Sequence, residues 1–146
     1  MNARNFLKQP KKLDKMIENK IVEKEQWKSI ASGTTTPMNG ERVQSSGSQQ
    51  KMADAVARYL DIETEINGII DRLIDTKKDV IRVIEHLNVY EYDLLHKVYI
   101  QFFTLQEVAD LYDRSISWAK TVHKRGLKNV QRILDERNLE TESDQK

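Results

Sequence analysis

The sequence has no cysteine, only two prolines and only five glycines in 146 residues. The lack of cysteine excludes a disulfide framework, a thiolate metal site and a cysteine nucleophile. Because glycine and proline are the main helix breakers, their scarcity leaves room for long helices. Aromatic residues make up 7% and charged residues 32% of the chain. This balance suits exposed helices with narrow apolar stripes better than a thick enzyme core around a deep pocket.

Long apolar runs are also missing, and no segment approaches the length of a membrane span. The first residues, Met1 to Phe6, lack the apolar core of a signal peptide. We therefore expect a cytoplasmic protein with no membrane partner. His86, His96 and His123 are not spaced as a ligand pair, and no constellation of acid, base and nucleophile is present. We expect no catalytic residue, no metal and no cofactor, which argues against an enzyme.

The formal net charge is only +1, but the charges are segregated along the chain. Residues 114–132 hold six basic side chains and no acidic one, whereas residues 133–146 hold five acidic side chains against two basic ones. The basic residues are Arg114, Lys120, Lys124, Arg125, Lys128 and Arg132. Because a partner responds to local fields and not to the total, this segment favours a polyanionic partner.

The N-terminal half divides into three segments. Residues 1–30 are predicted to form an amphipathic helix, because Leu13, Ile17 and Ile21 share one side of it. Residues 31–50, rich in Ser, Thr, Gly, Gln and Asn, are predicted to be a flexible linker. Residues 51–87 are predicted to form a long, coiled-coil-like helical arm. Its apolar heptad seam consists of Met52, Tyr59, Ile66, Leu73, Val80 and Leu87, with Val56, Ile62, Ile69, Ile70, Val83 and Ile84 between them.

The seam of this arm needs a partner helix, because its apolar stripe is too hydrophobic to stay in water. One alternative is the N-terminal amphipathic helix of the same chain. The other is the same helix of a second copy, which would make a homo-oligomer. An ordinary bundle helix, broken near Gly68 or Thr76, is the competing interpretation of the whole segment.

Residues 88–134 are predicted to form a helix-turn-helix domain. Asn88 with Glu91, and Thr104 with Glu107, have the spacing of capping pairs at two helix starts. Ala109 supplies the small residue where two helices approach closely. A second helix follows a turn and buries the side that contains Ala119, Val122, Gly126, Leu127, Val130 and Ile133. Residues 135–146 are predicted to be an acidic disordered tail.

The exposed side of this second helix carries the candidate DNA-binding residues. Ser117, Lys120 and Thr121 lie near the helix start and are predicted to read base edges. Long cations further along, or at the flanks, are predicted to neutralise phosphates, and these are Arg114, Lys124, Arg125 and Lys128. Ser115 is predicted to cap the helix and to bring its first amide groups near a phosphate.

The stretch from Leu94 to Val130 resembles the fourth region of bacterial sigma-70-type factors. The matching positions are Leu95 to Tyr99, Leu105 with Val108-Ala109, Ser115 with Ala119, and Arg125-Gly126-Leu127. With Val43 to Gly47 and Ser117-Trp118, nearly the whole chain is similar to small phage-encoded proteins of Gram-positive bacteria related to the ArpU and RinA late-gene activators. The resemblance implies a phage or prophage transcription regulator that binds double-stranded DNA with host RNA polymerase in the bacterial cytoplasm.

The chain departs from the sigma-like pattern at two positions. Gly126 stands where alanine is usual and is expected to weaken the second helix by about 1 kcal/mol, and Ala119 replaces a larger aliphatic residue. No segment resembles the promoter-melting part of a sigma factor, so we expect a regulator. A small terminase subunit is an alternative, although its DNA-binding part generally comes first in the chain. The other alternative is a coiled-coil protein-interaction module whose basic helix is incidental.

Overall fold

The computed structural model describes residues 1–33 and 46–145, and within them the chain forms five α-helices and no strand. This confirms the all-α prediction. The helices are α1 (Ala3–Ala31), α2 (Ser46–Ile84), α3 (Val89–Tyr99), α4 (Leu105–Leu111) and α5 (Ile116–Asp144). The chain divides into two compact units. The hairpin unit comprises Leu13–Arg72, and the head unit comprises Met1–Lys12 with Leu73–Lys146.

In the hairpin unit, α1 and α2 pack antiparallel. Lys20 pairs with Glu65 at 2.8 Å, and the later residue Glu23 pairs with the earlier residue Arg58 at 3.0 Å. The apolar residues buried in this unit include four from α2 and one from α1. They are Ala55, Ile62, Ile66, Ile69 and Leu13. In this unit, therefore, the seam of the long helix packs on the amphipathic helix of the same chain, which was the first of the two alternatives.

The long helix α2 is continuous through Gly68 and Thr76, so the interpretation as a broken helix is wrong. Three residues assigned to its seam do not lie in it. Met52, Val56 and Ile70 are exposed to 40%, 45% and 37%. The heptad spacing does not predict the exposure of these three residues, because the apolar side of α2 is wide and α1 covers only one edge of it.

Several helix ends differ from the predicted boundaries. α1 includes the buried Pro10, and α2 begins at Ser46, five residues before the predicted arm. Of the predicted linker, residues 34–45 lie outside the described residues, and so do Val43 to Ser45 of the motif that ends at Gly47. Residues 135–144 continue α5 as a helix where a disordered tail was predicted. In this extension Arg137 forms an ion pair with Asp79 of α2 at 2.9 Å.

The head unit contains the larger core. α3, α4 and α5 surround it, together with the end of α2 and the first turns of α1. Its fully buried members are Leu7, Val80, Ile84, Leu94, Leu95, Val108, Ala109, Ala119 and Val130. Phe6 is also buried, and the amide of Ala3 donates a hydrogen bond of 2.7 Å to the side-chain oxygen of Gln131. The first dozen residues therefore complete the core around the helix-turn-helix, which the sequence did not predict.

Gly126 of α5 packs closely against Leu95 of α3. A Cβ atom at this position would stand 2.9 Å from Cδ1 and 3.2 Å from Cγ of Leu95. Because Leu95 is fully buried, its side chain has little room to move. The expectation that glycine merely weakens the helix is therefore incomplete, since its missing side chain is what permits the contact.

A matched pair of glycine substitutions tests this close approach. Gly126→Ala should lower the free energy of unfolding by about 1 kcal/mol, because an overlap costing about 1–3 kcal/mol outweighs the gain in helix propensity. Gly68→Ala should raise it by about 1 kcal/mol, since nothing lies within 4 Å of the added Cβ. Denaturant unfolding followed by circular dichroism measures both. Equal stabilisation by the two substitutions would contradict the role assigned to Leu95.

Candidate nucleic-acid interface

Local hydrogen bonds define the two helices of the motif and the turn between them. Thr104 caps α4 with a full capping box, because its hydroxyl accepts from the amide of Glu107 and the Glu107 side chain accepts from the amide of Thr104. In the turn, Asp113 adopts a φ of 52°, which aspartate tolerates better than most residues. The amide of Arg114 then donates to the carbonyl of Ala109 at 2.9 Å. The predicted short helix, turn and second helix are all present.

Aromatic side chains pack the turn against α3. The Tyr112 hydroxyl donates a hydrogen bond to the Asp93 carboxylate, and Tyr112 packs against Trp118 at 5.1 Å between ring centroids. Tyr90 contacts both rings edge-on. Burial and the bond to Asp93 raise the pKa of Tyr112 to about 12. Burial opposes ionisation of Asp93, but hydrogen bonds from Lys97 and Tyr112 outweigh it and lower its pKa. Trp118 is therefore a packing residue of the turn.

A buried polar contact sets the rotation of α5 about its axis. Glu91 is only 4% exposed, and its carboxylate accepts a 2.8 Å hydrogen bond from the amide of Asn129. The predicted capping pair at Asn88 is thus half formed: Asn88 accepts from the Glu91 amide, while the Glu91 side chain turns inward. The sequence does not predict this link, because Glu91 also fits the role of an exposed capping residue.

All eight predicted DNA-binding residues are exposed on the head unit. Four of them follow one another at intervals of four, three and four positions. They therefore form one stripe along the side of α5 opposite Ala119 and Val130. These four are Ser117, Thr121, Lys124 and Lys128. Lys120 lies at one edge of the stripe, whereas Arg125 lies at the other edge, near Arg114. The basic face is defined as these eight residues, Arg114, Ser115, Ser117, Lys120, Thr121, Lys124, Arg125 and Lys128.

The three hydroxyl groups of the basic face differ in their freedom to bind a ligand. The Ser115 oxygen accepts from the amide of Trp118 at 3.1 Å, which confirms its capping role. The Thr121 hydroxyl donates to the carbonyl of Ser117 at 2.9 Å. Thr121 can therefore offer a base edge its acceptor lone pairs or its methyl group, but not its proton. The Ser117 side chain forms no hydrogen bond with any described residue and remains free to donate.

The cations of the basic face are electrostatically uncompensated. Among the described residues, no carboxylate forms an ion pair with any of the six basic side chains between 114 and 132. Arg114 lies over the Trp118 ring at 5.8 Å. With Arg125 it lines a surface cavity of about 210 Å³ beside the start of α3. Exposed cations without internal partners gain most from neutralisation by phosphates.

His123 lies at the edge of the basic face but turns away from it. Its Nε2 is 2.6 Å from the Tyr99 hydroxyl, and the two rings stack at 5.7 Å. Burial lowers the pKa of His123, so the imidazole is neutral at pH 7. The described residues contain no cluster of His, Cys, Asp or Glu placed to hold a metal. Nor is any helix in this part of the chain long and apolar enough to cross a membrane.

The partly buried His123 makes a pH dependence testable. Because its pKa is lower in the folded than in the unfolded chain, the free energy of unfolding should fall as the pH drops below about 6.5. His123→Gln, which can still form a hydrogen bond with the Tyr99 hydroxyl, should flatten the change in melting temperature between about pH 7.5 and about pH 5.5. Burial also lowers the pKa of His96. His96 should therefore make its own contribution to the pH dependence of stability, and His96→Gln should remove that contribution. An unchanged pH profile in His123→Gln would contradict this assignment.

Comparison with protein-family models, with curated protein sequences and with solved structures finds no match.

Proposed function

We propose that this chain is a sequence-specific DNA-binding transcription regulator of phage or prophage genes. One observation carries the proposal: the exposed side of a capped second helix holds cations that have no ion-pair partner among the described residues. A short helix and a tight turn precede that helix, in the order of a DNA-binding helix-turn-helix. In this role the start of α5 enters the major groove, and Ser117, Lys120 and Thr121 face base edges.

The charge of α5 supports one orientation on DNA. The first half of the helix is basic, and the second half carries Asp135, Glu136, Glu140, Glu142 and Asp144. At about 1.5 Å per residue, Asp144 lies roughly 24 Å beyond Lys128 along the same helix. The acidic half is repelled by the duplex, so only the N-terminal half of α5 should lie on it.

Cooperation with host RNA polymerase is the second part of the proposal. It rests on the resemblance of Leu94 to Val130 to the fourth region of sigma-70-type factors and on the similarity to the ArpU and RinA group. In this role the protein guides a host polymerase to late phage promoters and does not replace the initiation subunit.

A protein-interaction module is the second candidate, because α2 carries exposed apolar side chains such as Val56 and Leu60. Selection of bound fragments from a phage-bearing bacterial genome by the full-length chain separates the two functions. Enrichment of promoter-proximal duplexes supports the regulator. Absence of any enrichment favours the interaction module, and a ring-shaped oligomer in light scattering with enrichment of packaging sites favours a small terminase subunit.

Salt dependence tests the phosphate contacts. Each cation that releases a condensed counterion contributes about 0.9 to the slope of log affinity against log salt. The double variant Lys124→Ala/Lys128→Ala should therefore reduce the magnitude of this slope by about 1.8. Fluorescence anisotropy on a mixed-sequence duplex measures the slope. Arg137→Ala is the matched control, because Arg137 is on the same helix but pairs with Asp79. A double variant with the wild-type slope would refute the assignment of these lysines.

Base reading and phosphate binding should be separable on the basic face. Ser117→Ala and Lys120→Ala should each relax sequence preference at one or two base pairs by about 1–3 kcal/mol. Lys128→Ala should instead weaken binding to all sequences alike, because phosphates carry no sequence information. Selection from a randomised duplex library, followed by anisotropy on the selected and scrambled sites, measures the difference. Equal losses on both sites for all three variants would rule out the reading role.

A further inference from the structure

A second apolar stripe runs along α2 on the side that α1 leaves open. In the hairpin unit it contains Val56, Leu60, Glu63, Asn67 and Ile70, spaced alternately by four and three positions, and is called the outer stripe. Val56, Leu60 and Ile70 are exposed to 45%, 54% and 37%. This is the heptad spacing of a helix–helix contact, but among the described residues of the hairpin unit no helix covers it.

The opposite edge of the hairpin has a different character. There Arg58 donates to both Glu23 and Glu65 at 3.0 Å, and Lys20 donates to Glu65 at 2.8 Å. Hydrogen bonds from Lys20 and Arg58 lower the pKa of Glu65, which keeps the carboxylate charged. One edge of the hairpin is thus an ionic network, whereas the outer stripe is apolar at both ends.

α1 extends the apolar surface beside the outer stripe. Lys28 and Ala31 line a shallow cavity of about 360 Å³ together with Val56, Tyr59 and Leu60. Ile21, which is 47% exposed, lies seven positions before Lys28 and so on the same side of α1. The open surface therefore includes both helices of the hairpin.

The order of residues in the outer stripe is symmetric about position 65. Leu60 and Ile70 are equidistant from it, and so are Glu63 and Asn67. In an antiparallel contact of two α2 helices about a two-fold axis, Leu60 of each copy would therefore meet Ile70 of the other. Each Glu63 carboxylate would meet an Asn67 amide, which can donate a hydrogen bond to it.

We propose that the outer stripe binds the outer stripe of a second copy of this chain, in an antiparallel register centred on residue 65. A two-fold contact requires that the surface be complementary to itself, and the symmetric order of apolar and polar positions meets that requirement. Glu63, which also pairs with Lys24 of its own chain at 3.6 Å, keeps a polar partner at the centre of the contact. The homodimer follows from the hairpin surface and does not depend on DNA binding.

Cysteine cross-linking tests the register, because the natural chain contains no cysteine. A mixture of full-length Leu60→Cys and Ile70→Cys should form a disulfide-linked heterodimer under mild oxidation. Each variant alone should cross-link poorly, since copies of the same position would be offset by about 15 Å along the helix axis. Efficient homotypic cross-linking would show a parallel contact and overturn the proposal.

A charge substitution tests the surface itself. Leu60→Lys should raise the dimer dissociation constant by at least about 100-fold in sedimentation equilibrium, because each copy would bury an unpaired ammonium group. Val22→Lys is the matched control: Val22 is 59% exposed on α1, on the side away from the outer stripe, and this variant should remain a dimer. A wild-type chain that stays monomeric at all accessible concentrations would overturn the inference. Because the measurement contains no DNA, that failure would leave the proposed function untouched.

Discussion

The arrangement of the head unit depends on the close approach of α5 to α3 at Gly126. The absence of a side chain there lets Leu95 pack directly on the backbone of α5. The hydrogen bond between the Glu91 carboxylate and the Asn129 side-chain amide then fixes the rotation of α5 about its own axis. Because both constraints act on the inner side of the helix, the basic side is presented outward as a fixed array. A looser contact would leave the same cations exposed but without a defined orientation.

Charge segregation along one helix is the second organising feature. The N-terminal half of α5 gathers cations without ion-pair partners among the described residues, and the C-terminal half gathers carboxylates. Because the helix is continuous to Asp144, these two regions are held at opposite ends of a rod. A flexible acidic tail could fold back onto the cations. A rigid one keeps the acidic charge away from the basic face.

In the hairpin unit, α2 carries two apolar stripes but packs on only one other helix among the described residues. α1 buries the stripe that contains Ile62 and Ile69, whereas the outer stripe remains exposed. Exposed heptad stripes are uncommon on monomers and are typical of contacts between subunits. Two-helix hairpins bury little apolar area on their own, so association of two hairpins would enlarge a small core.

The sequence by itself determined the helical class, the starts of α3 and α4 and the exposed basic side of α5. Caps and helical periodicity arise from interactions between residues three or four positions apart, so they can be recognised locally. Only the tertiary structure decided which stripe of α2 packs on α1, why position 126 lacks a side chain, and that the first residues join the distant core. It also decided that the acidic segment is helical, with Arg137 paired to Asp79. These features depend on contacts between residues far apart in the chain, such as the Ala3 amide with Gln131, for which no local pattern exists.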